Sequence, residues 1–267
     1  MVQHTTPEVR AHMVALYNNG LLYSEIADAV CFSTFTVRKA IEEAGCPRRY
    51  GARPAGSVWH EAFDVLTPEA LYWAGFLLTD GCIVDGCRVK LSLATVDRDG
   101  VEGLKAFTKA SHNLIQRNNA TTLRFTSHYM VRRLGELGIT PRKSLTARAH
   151  DDLVKSVDFW RGCIDGDGGV HTYRRGPLVL FTSASRAFID QADAFFRPLT
   201  LDGDRAPTAR NADTLFDLRF NGADAVRVVR HLYPPGCITL ASMRAAADEV
   251  LAYRFPKAWA QARADKP

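Results

Sequence analysis

The chain has 267 residues, with 46% hydrophobic residues, 24% charged residues and a net charge of +5. This balance excludes disorder over most of the length, and the apolar runs are shorter than the about 20 residues that cross a bilayer. The N-terminus also lacks the pattern of a signal peptide, so we expect a cytoplasmic protein without a membrane partner. The length predicts about two domains.

The first 47 residues predict a small helical domain. Apolar positions in 7–45 have the spacing of three short helices, and Pro7 marks the start of the first. The second and third resemble a helix-turn-helix, with Ala27 where the helices approach and Cys31 in the turn, where many such motifs have glycine. The alternative is a plain three-helix bundle with a solvated polar face. On the helix-turn-helix interpretation, the candidate DNA-contacting residues are Thr34, Phe35, Thr36, Arg38 and Lys39.

A linker is predicted next, over residues 48–64. Its first part is rich in glycine, proline and serine, a composition typical of segments that connect domains. Arg48 and Arg49 begin this segment. These two arginines are candidates for phosphate contacts, and the alternative is that they are ordinary solvated charges.

The rest of the chain repeats itself. Residues 71–81 and 158–168 align a tryptophan, a glycine, an aspartate and a second glycine at a constant offset. A shorter match, 123–125 with 218–220, follows in the same order. Because colinear matches rarely arise by chance, we interpret this part as a duplicated α/β unit. A duplicated unit places both halves of a pseudo-twofold arrangement in one chain, which predicts a monomer.

The duplication divides the remaining chain into halves 65–150 and 151–267. Each half shows a helix, a strand pair, a second helix, further strand and a last helix. Alternation of polar and apolar residues predicts an antiparallel sheet with one polar face in each half. All of the surplus positive charge lies beyond residue 50. The polar faces carry Arg and Lys, which favours sheets that contact DNA over sheets that are only solvated. The candidate contact residues are Arg88, Lys90, Arg124, Arg174, Arg175 and Arg219.

Two apolar helices, one in each half, carry small residues four positions apart. These residues are Gly75 and Thr79 in the first helix and Gly162 and Gly166 in the second. Residues at i and i+4 share one helix face, and a glycine inside a helix costs about 1 kcal/mol relative to alanine. Close packing of the two helices would offset that cost. We therefore expect them to touch along these faces at a pseudo-twofold axis.

Asp80 and Asp167 end these two helices, each followed by a glycine. A carboxylate there faces the negative end of the helix dipole, and two such ends brought together would place like charges close to each other. A hard divalent cation such as Mg²⁺ would relieve the repulsion. The alternative is that each Asp-Gly pair only forms a turn. The paired arrangement favours a metal site.

The segments 73–81 and 160–168 resemble the two LAGLIDADG motifs of single-chain homing endonucleases, and the resemblance extends over about 65–255. It implies an α+β fold of two αββαββα halves with the motif helices at the centre. It also implies two saddle-like antiparallel sheets that lie along double-stranded DNA. Members of the family make a staggered double-strand break with Mg²⁺, for which Mn²⁺ is a possible substitute.

The resemblance also assigns roles to particular residues. It implies a metal held at Asp80 and Asp167, together with the glycines that follow them, Gly81 and Gly168. Lys143 matches the basic residue near the scissile phosphate. The corresponding segment of the second half has no lysine, and its nearest basic residue is Arg244, for which a surface helical charge is the alternative. This asymmetry weakens the expectation that the two strands are cut equally.

Two other functions remain compatible with the sequence. One is a DNA-binding transcription regulator that keeps the fold and has lost cleavage, which the N-terminal helical domain makes plausible. The other is an RNA-splicing maturase with the same fold. Regulators of this kind are expected to lose one or both motif acids, whereas this chain has both Asp80 and Asp167. We therefore favour the endonuclease.

Overall fold

The computed structural model describes residues 5–19, 21, 23–46, 57–201, 207–210 and 214–255. Arg48 and Arg49 therefore lie outside the described residues. The chain divides into two compact units, Met1–Ala55 and Gly56–Pro267, and the division lies within the predicted linker. Among the described helices, none has both the length and the apolar character that crossing a bilayer requires.

The N-terminal unit contains three short helices around its own apolar core. The side chain of Thr6 caps the first helix and that of Ser33 caps the third. Cys31 lies between the second and third helices with φ +54°, a left-handed conformation that glycine adopts more easily. The tight turn therefore exists although the residue that usually favours it is absent. The helices are α1 (Pro7–Asn18), α2 (Tyr23–Val30) and α3 (Thr34–Glu43).

The larger unit has the predicted duplicated order, so the predicted α+β fold class is confirmed. The first half comprises α4 (Pro68–Thr79), β1 (Cys82–Val84), β2 (Arg88–Ala94), α5 (Arg98–Phe107), β3 (Ile115–Arg117), β4 (Ala120–Thr126) and α6 (His128–Glu136). The second half comprises α7 (Val157–Asp167), β5 (Gly168–Tyr173), β6 (Gly176–Ser183), α8 (Arg186–Phe196), β7 (Thr208–Arg210), β8 (Leu215–Asn221) and α9 (Ala223–Leu232), followed by α10 (Ala241–Ala252).

Each half forms a four-stranded antiparallel sheet, in the orders β1-β2-β4-β3 and β5-β6-β8-β7. Strands β2 and β4 bury every second side chain, as their polar and apolar alternation predicts. Val89, Leu91 and Phe125 face the helices, whereas the opposite face carries the polar residues. The buried residues of both halves belong to one continuous apolar core. The polar face of each sheet is thus turned away from that core.

Helices α4 and α7 touch through their glycines. A Cβ added to Gly75 would overlap the carbonyl oxygen of Phe159, and one added to Gly162 would overlap that of Tyr72. The thiol of Cys163 donates a hydrogen bond to the Gly75 carbonyl at 3.6 Å. Backbones this close leave no room for any side chain larger than hydrogen. The contact fixes how the two halves meet and where the two helices end.

Candidate active site

The ends of α4 and α7 bring the two motif acids together. Asp80 caps α4, and its amide donates to the Phe76 carbonyl at 3.0 Å, while Asp167 is the last residue of α7. A Cβ built on Gly166 would lie 3.7 Å from the Asp80 nitrogen, so the helix ends are adjacent. Both residues lie at the protein surface. They can therefore reach a ligand outside the protein.

The glycine after each acid lets the chain leave its helix directly into a strand. A Cβ on Gly81 would lie 2.5 Å from the Leu77 carbonyl oxygen, and one on Gly168 would lie 2.6 Å from that of Ile164. The two clashes are equivalent in the two halves. Glycine is required at both positions because the backbone folds back on the last turn of the helix. The Asp-Gly pairs thus hold both acids at the same point of each half.

The two acids are electrostatically coupled. Neighbouring protein displaces water from the Asp80 carboxyl, and the Asp167 carboxylate repels it, which together raise the pKa of Asp80 to about 6. Loss of water also raises the pKa of Asp167, against the opposing charge of Lys143. Both shifts disfavour the ionised form. A cation that binds between the two carboxylates would stabilise their ionised forms.

Lys143 lies beside both acids. It begins a short 3₁₀ turn after Arg142, which has φ +55°, and its side chain is buried. The Lys143 ammonium donates a hydrogen bond to the Gly81 carbonyl oxygen. Burial lowers the pKa of Lys143, while the charges of Asp167 and Asp80 act in the opposite direction. The structure therefore brings together three of the residues predicted for catalysis.

The donor set suits a hard divalent cation. Asp80 and Asp167 offer carboxylate oxygens, and the Gly81 carbonyl oxygen has a second lone pair besides the one that Lys143 uses. Within the described residues, no group of three or more histidine, cysteine, aspartate or glutamate side chains is arranged to hold a metal. Mg²⁺ is commonly bound by one or two carboxylates and keeps several waters for substrate phosphates to displace. Two acids at a solvent-exposed site fit that pattern.

A cavity of about 310 Å³ opens next to the acids. Thr79, Lys143 and Asp167 line it on one side, and Thr182 and Ser183 of the second sheet line it on the other. Since a water molecule occupies about 30 Å³ in the liquid, the cavity has room for several waters. It extends from Asp167 to the end of strand β6.

Arg244 does not join this group. Its guanidinium donates to the carbonyl oxygens of Tyr233 at 3.0 Å and Pro234 at 3.2 Å, and it also contacts the Cys237 sulfur. Among the described charged residues that shift the pKa of Asp80 or Asp167, Lys143 is present and Arg244 is not. The physical reason is that the first turn of α10 directs Arg244 back onto the segment after α9.

Asp165 is not among the site residues predicted from the sequence, yet its carboxylate is the centre of a buried cluster. It accepts hydrogen bonds from the hydroxyls of Tyr72, Tyr233 and Thr239, each at 2.8 Å, and from the Leu240 amide at 3.0 Å. Burial raises the pKa of Asp165, although these hydrogen bonds oppose the shift. Two helix positions separate Asp165 from Asp167, or about 200° of rotation. Asp165 therefore ties α4 and α7 to the segment before α10.

The polar face of the first sheet holds basic residues side by side. Lys90 is directly opposite Arg124 in the β2–β4 ladder. Arg88 forms an ion pair with Asp85, and Ser92 hydrogen-bonds Thr122 at 2.7 Å. Like charges directly opposite each other destabilise a sheet. This face therefore favours a polyanionic partner.

The second sheet presents its charges differently. Arg174 and Arg175 are exposed in the turn that joins β5 and β6. Arg219 is exposed on β8 and forms an ion pair with the buried carboxylate of Asp217 at 2.9 Å. Arg210, on the short edge strand β7, binds the same carboxylate at 2.7 Å and was not predicted from the sequence. Two arginines of the polar face thus share one acid.

The candidate residues of the helical unit lie at the start of α3 and along its outer face. Thr34 is its first residue, and the Thr36 amide donates to the capping hydroxyl of Ser33 at 3.1 Å. Arg38 and Lys39 form loose pairs with acids one turn later, both at 3.8 Å. Phe35 is 64% exposed, with the Arg38 guanidinium 5.8 Å from its ring centre. An exposed aromatic ring beside an arginine can contact bases.

Comparison with known proteins gives matches only among solved structures. No model of a protein family and no curated protein matches the sequence. The LAGLIDADG meganuclease I-AabMI bound to uncleaved DNA has 10% identity over 69% of this chain and 89% of that chain, with a TM-score of 0.48. Mesophilic variants of the homing endonuclease I-DmoI have 12% identity over 68% and 97%, with a TM-score of 0.48. I-SmaMI bound to an uncleaved DNA target with calcium ions has 10% identity over 75% and 97%, with a TM-score of 0.47.

Proposed function

We propose that this chain is a single-chain LAGLIDADG-type endonuclease that hydrolyses both strands of a double-stranded DNA target with Mg²⁺. The observation that carries the proposal is the meeting of Asp80 and Asp167 at adjacent helix ends beside Lys143. Two coupled carboxylates and a buried ammonium, with a basic sheet face in the same unit, suit the cleavage of a phosphodiester. The duplicated halves supply both half-sites, so the enzyme acts as a monomer.

Asp80 and Asp167 would hold the Mg²⁺, and Mn²⁺ suits the same oxygen donors. A cation held by these two carboxylates would supply Lewis acidity, which lowers the pKa of a water and stabilises negative charge on phosphodiester oxygens. Lys143 has a fixed position because the Gly81 carbonyl accepts its hydrogen bond. Its buried charge acts in a medium of low dielectric constant, where it can stabilise the developing negative charge strongly. No covalent intermediate with the protein is required.

The helical unit is proposed to bind DNA as well. Helix α3 carries Phe35, Arg38 and Lys39 on its exposed surface, where a recognition helix would meet the major groove. Its ion pairs with Glu42 and Glu43 are long and exposed, so DNA phosphates could replace them at little cost. The larger unit provides most of the positive charge and hence most of the affinity.

The proposal is tested by incubating the full-length protein with a library of long DNA targets and Mg²⁺ and sequencing the ends. We expect both strands to be cut at one preferred sequence with a constant stagger, and no ends to form in EDTA. A variant with Asn at both 80 and 167 is the control for a contaminating nuclease. Selective binding without any cut would support a regulator, and selective binding of RNA would support a maturase. Either result would contradict the proposal.

Replacing Lys90 and Arg124 by alanine should weaken DNA binding and stabilise the free protein slightly. Each lost phosphate contact lowers the slope of log affinity against log salt by about 0.9. Removing the cross-strand repulsion should add roughly 0.2–1 kcal/mol to the free energy of unfolding. Affinity measured across a salt series, and chemical denaturation without DNA, give the two values.

The matched control replaces Lys105 and Lys109, which lie in and just after α5 on the helical side of the same half. It removes the same amount of charge as the first double variant. Because these lysines are not on the polar face of the sheet, it should leave most of the salt dependence of DNA affinity in place. Equal slopes for the two double variants would show that the polar face of the first sheet does not contact phosphates.

A further inference from the structure

The polar face of the second sheet contains a buried acid. Asp217 and Arg219 occupy alternate positions of β8 and therefore share the face turned away from the core. The Asp217 side chain is only 1% exposed, whereas those of Arg210 and Arg219 are 46% and 47% exposed. The acid is buried because the two arginines cover it.

Each arginine binds Asp217 through the Nε–Nη2 edge of its guanidinium. Arg210 places Nε 2.7 Å from Oδ2 and donates from Nη2 to Oδ1 at 2.8 Å. Arg219 donates from Nε and Nη2 to Oδ2, at 3.2 and 2.9 Å. The Thr182 hydroxyl, across the ladder, donates to Oδ1 at 2.8 Å. The carboxylate thus accepts hydrogen bonds from three side chains, which come from three strands.

Asp217 remains ionised in this arrangement. Burial alone would raise its pKa, but hydrogen bonds from Arg219 and Thr182 and the charge of Arg210 outweigh burial and lower it. Both guanidinium planes are consequently held by one charged partner, the Asp217 carboxylate. A guanidinium held by its Nε–Nη2 edge presents its Nη1–Nη2 edge in a fixed direction.

A buried acid would be a disadvantage if these arginines only attracted phosphates. One aspartate cancels half of their combined charge, and attraction to phosphate depends on charge more than on orientation. In the first sheet, the basic residues of the polar face are not accompanied by an acid in the ladder. The ladder positions that share a face with Lys90 and Arg124 hold no acidic residue. Fixed orientation matters most for a planar, two-point hydrogen bond to a base edge, since a wrong angle loses both bonds.

We propose that Asp217 is a positioning residue that orients Arg210 and Arg219 to read guanines in the half-site that contacts the second sheet. Guanine presents N7 and O6 as a pair of acceptors in the major groove, which matches the spacing of the two donors on one edge of a guanidinium. Because the two arginines share one carboxylate, they read neighbouring base pairs. This inference rests on the proposed function, since it requires the polar face of the sheet to lie along DNA.

The test selects randomised duplex DNA on the immobilised full-length protein in EDTA, so that binding is read without cleavage. The sequences selected by the wild type should contain guanine at one position or at two adjacent positions. Arg210→Lys and Arg219→Lys should each change the base preference there. Lysine keeps the charge but loses the fork, so preference for guanine at the affected position should fall roughly 5- to 150-fold. Preferences elsewhere in the site should stay.

Asp217→Asn should weaken the guanine preference at both positions, because an amide holds the arginines less firmly. Arg186→Lys is the matched control, because Arg186 pairs with Asp190 at 2.8 Å on the surface of α8 and is not on the sheet. That variant should select the same sequences as the wild type. Circular dichroism of the Asp217→Asn variant shows whether it is folded, and the two lysine variants test the proposal if it is not.

Two results would overturn the inference. If the lysine variants select the same sequences as the wild type, guanidinium groups oriented by Asp217 are not what reads the guanines. If they bind all sequences equally more weakly, the arginines contact only phosphates. In both cases a wild-type protein that still selects and cuts one site leaves the proposed function standing. A wild-type protein that selects no DNA sequence overturns both.

Discussion

Replacing Asp80 or Asp167 by asparagine should reduce double-strand cleavage by at least about 10³-fold and leave DNA affinity nearly unchanged. On the proposed function, a metal held by these acids would supply several kcal/mol of transition-state stabilisation, and each 1.36 kcal/mol is a factor of ten in rate. Asparagine keeps the shape of the side chain but loses the charge that would hold the cation. Cleavage of the selected site with Mg²⁺, and binding of the same site in EDTA, measure the two effects separately.

The same variants should not lose stability. The pKa of Asp80 is raised to about 6 in the folded protein, from about 3.9 in an unfolded chain. The stability that this group contributes is therefore complete below about pH 3.9 and decreases as pH rises towards 6. Asp80→Asn removes a carboxylate that opposes folding at neutral pH. In EDTA at pH 7.5, its melting temperature should equal or exceed that of the wild type.

Ordinary Mg²⁺-dependent cleavage by either variant would contradict the assignment of the acids. A variant that neither cuts nor melts cooperatively would show that the acid stabilises the fold, contrary to its raised pKa. A loss of cleavage with unchanged affinity and melting temperature is the result that separates a metal-binding role from a structural one.

The fold was predictable because its main signals are local or repeated. The doubled Trp-Gly-Asp-Gly pattern in 73–81 and 160–168 located the two central helices, and period-two alternation located β2 and β4. Each signal depends on one element and its own hydrogen bonds. Such signals predict the elements correctly because tertiary packing favours the same periodicity as the local sequence.

The parts of the site that depend on the path of the chain were less predictable. Arg244 is the nearest basic residue to the segment that matches the one containing Lys143, yet the first turn of α10 directs it onto the Tyr233 carbonyl. Arg210 lies on a strand of three residues, which is too short to show a period. The four donors to Asp165 come from positions 68 to 93 residues away. Partnerships over such distances leave no trace in a single sequence.

Gly75→Ala and Gly162→Ala should each destabilise the larger unit by about 3 kcal/mol or more. In an ordinary helix the same change would stabilise by about 1 kcal/mol, because alanine is the better helix former. Here the added Cβ would overlap a carbonyl oxygen of the facing helix, which cannot move without separating α4 from α7. Chemical denaturation of each variant gives the free energy of unfolding.

Gly135→Ala is the matched control for these two variants. Gly135 lies in α6, and within the described part of the chain no atom outside the helix backbone is within 4 Å of the Cβ that alanine would add. It should leave stability unchanged or increase it by up to about 1 kcal/mol. If all three variants had the same free energy of unfolding, the α4–α7 contact would not require glycine at positions 75 and 162. If only Gly75→Ala and Gly162→Ala lose stability, and the protein that remains folded cuts more slowly, the same contact that joins the halves also sets the separation of Asp80 and Asp167.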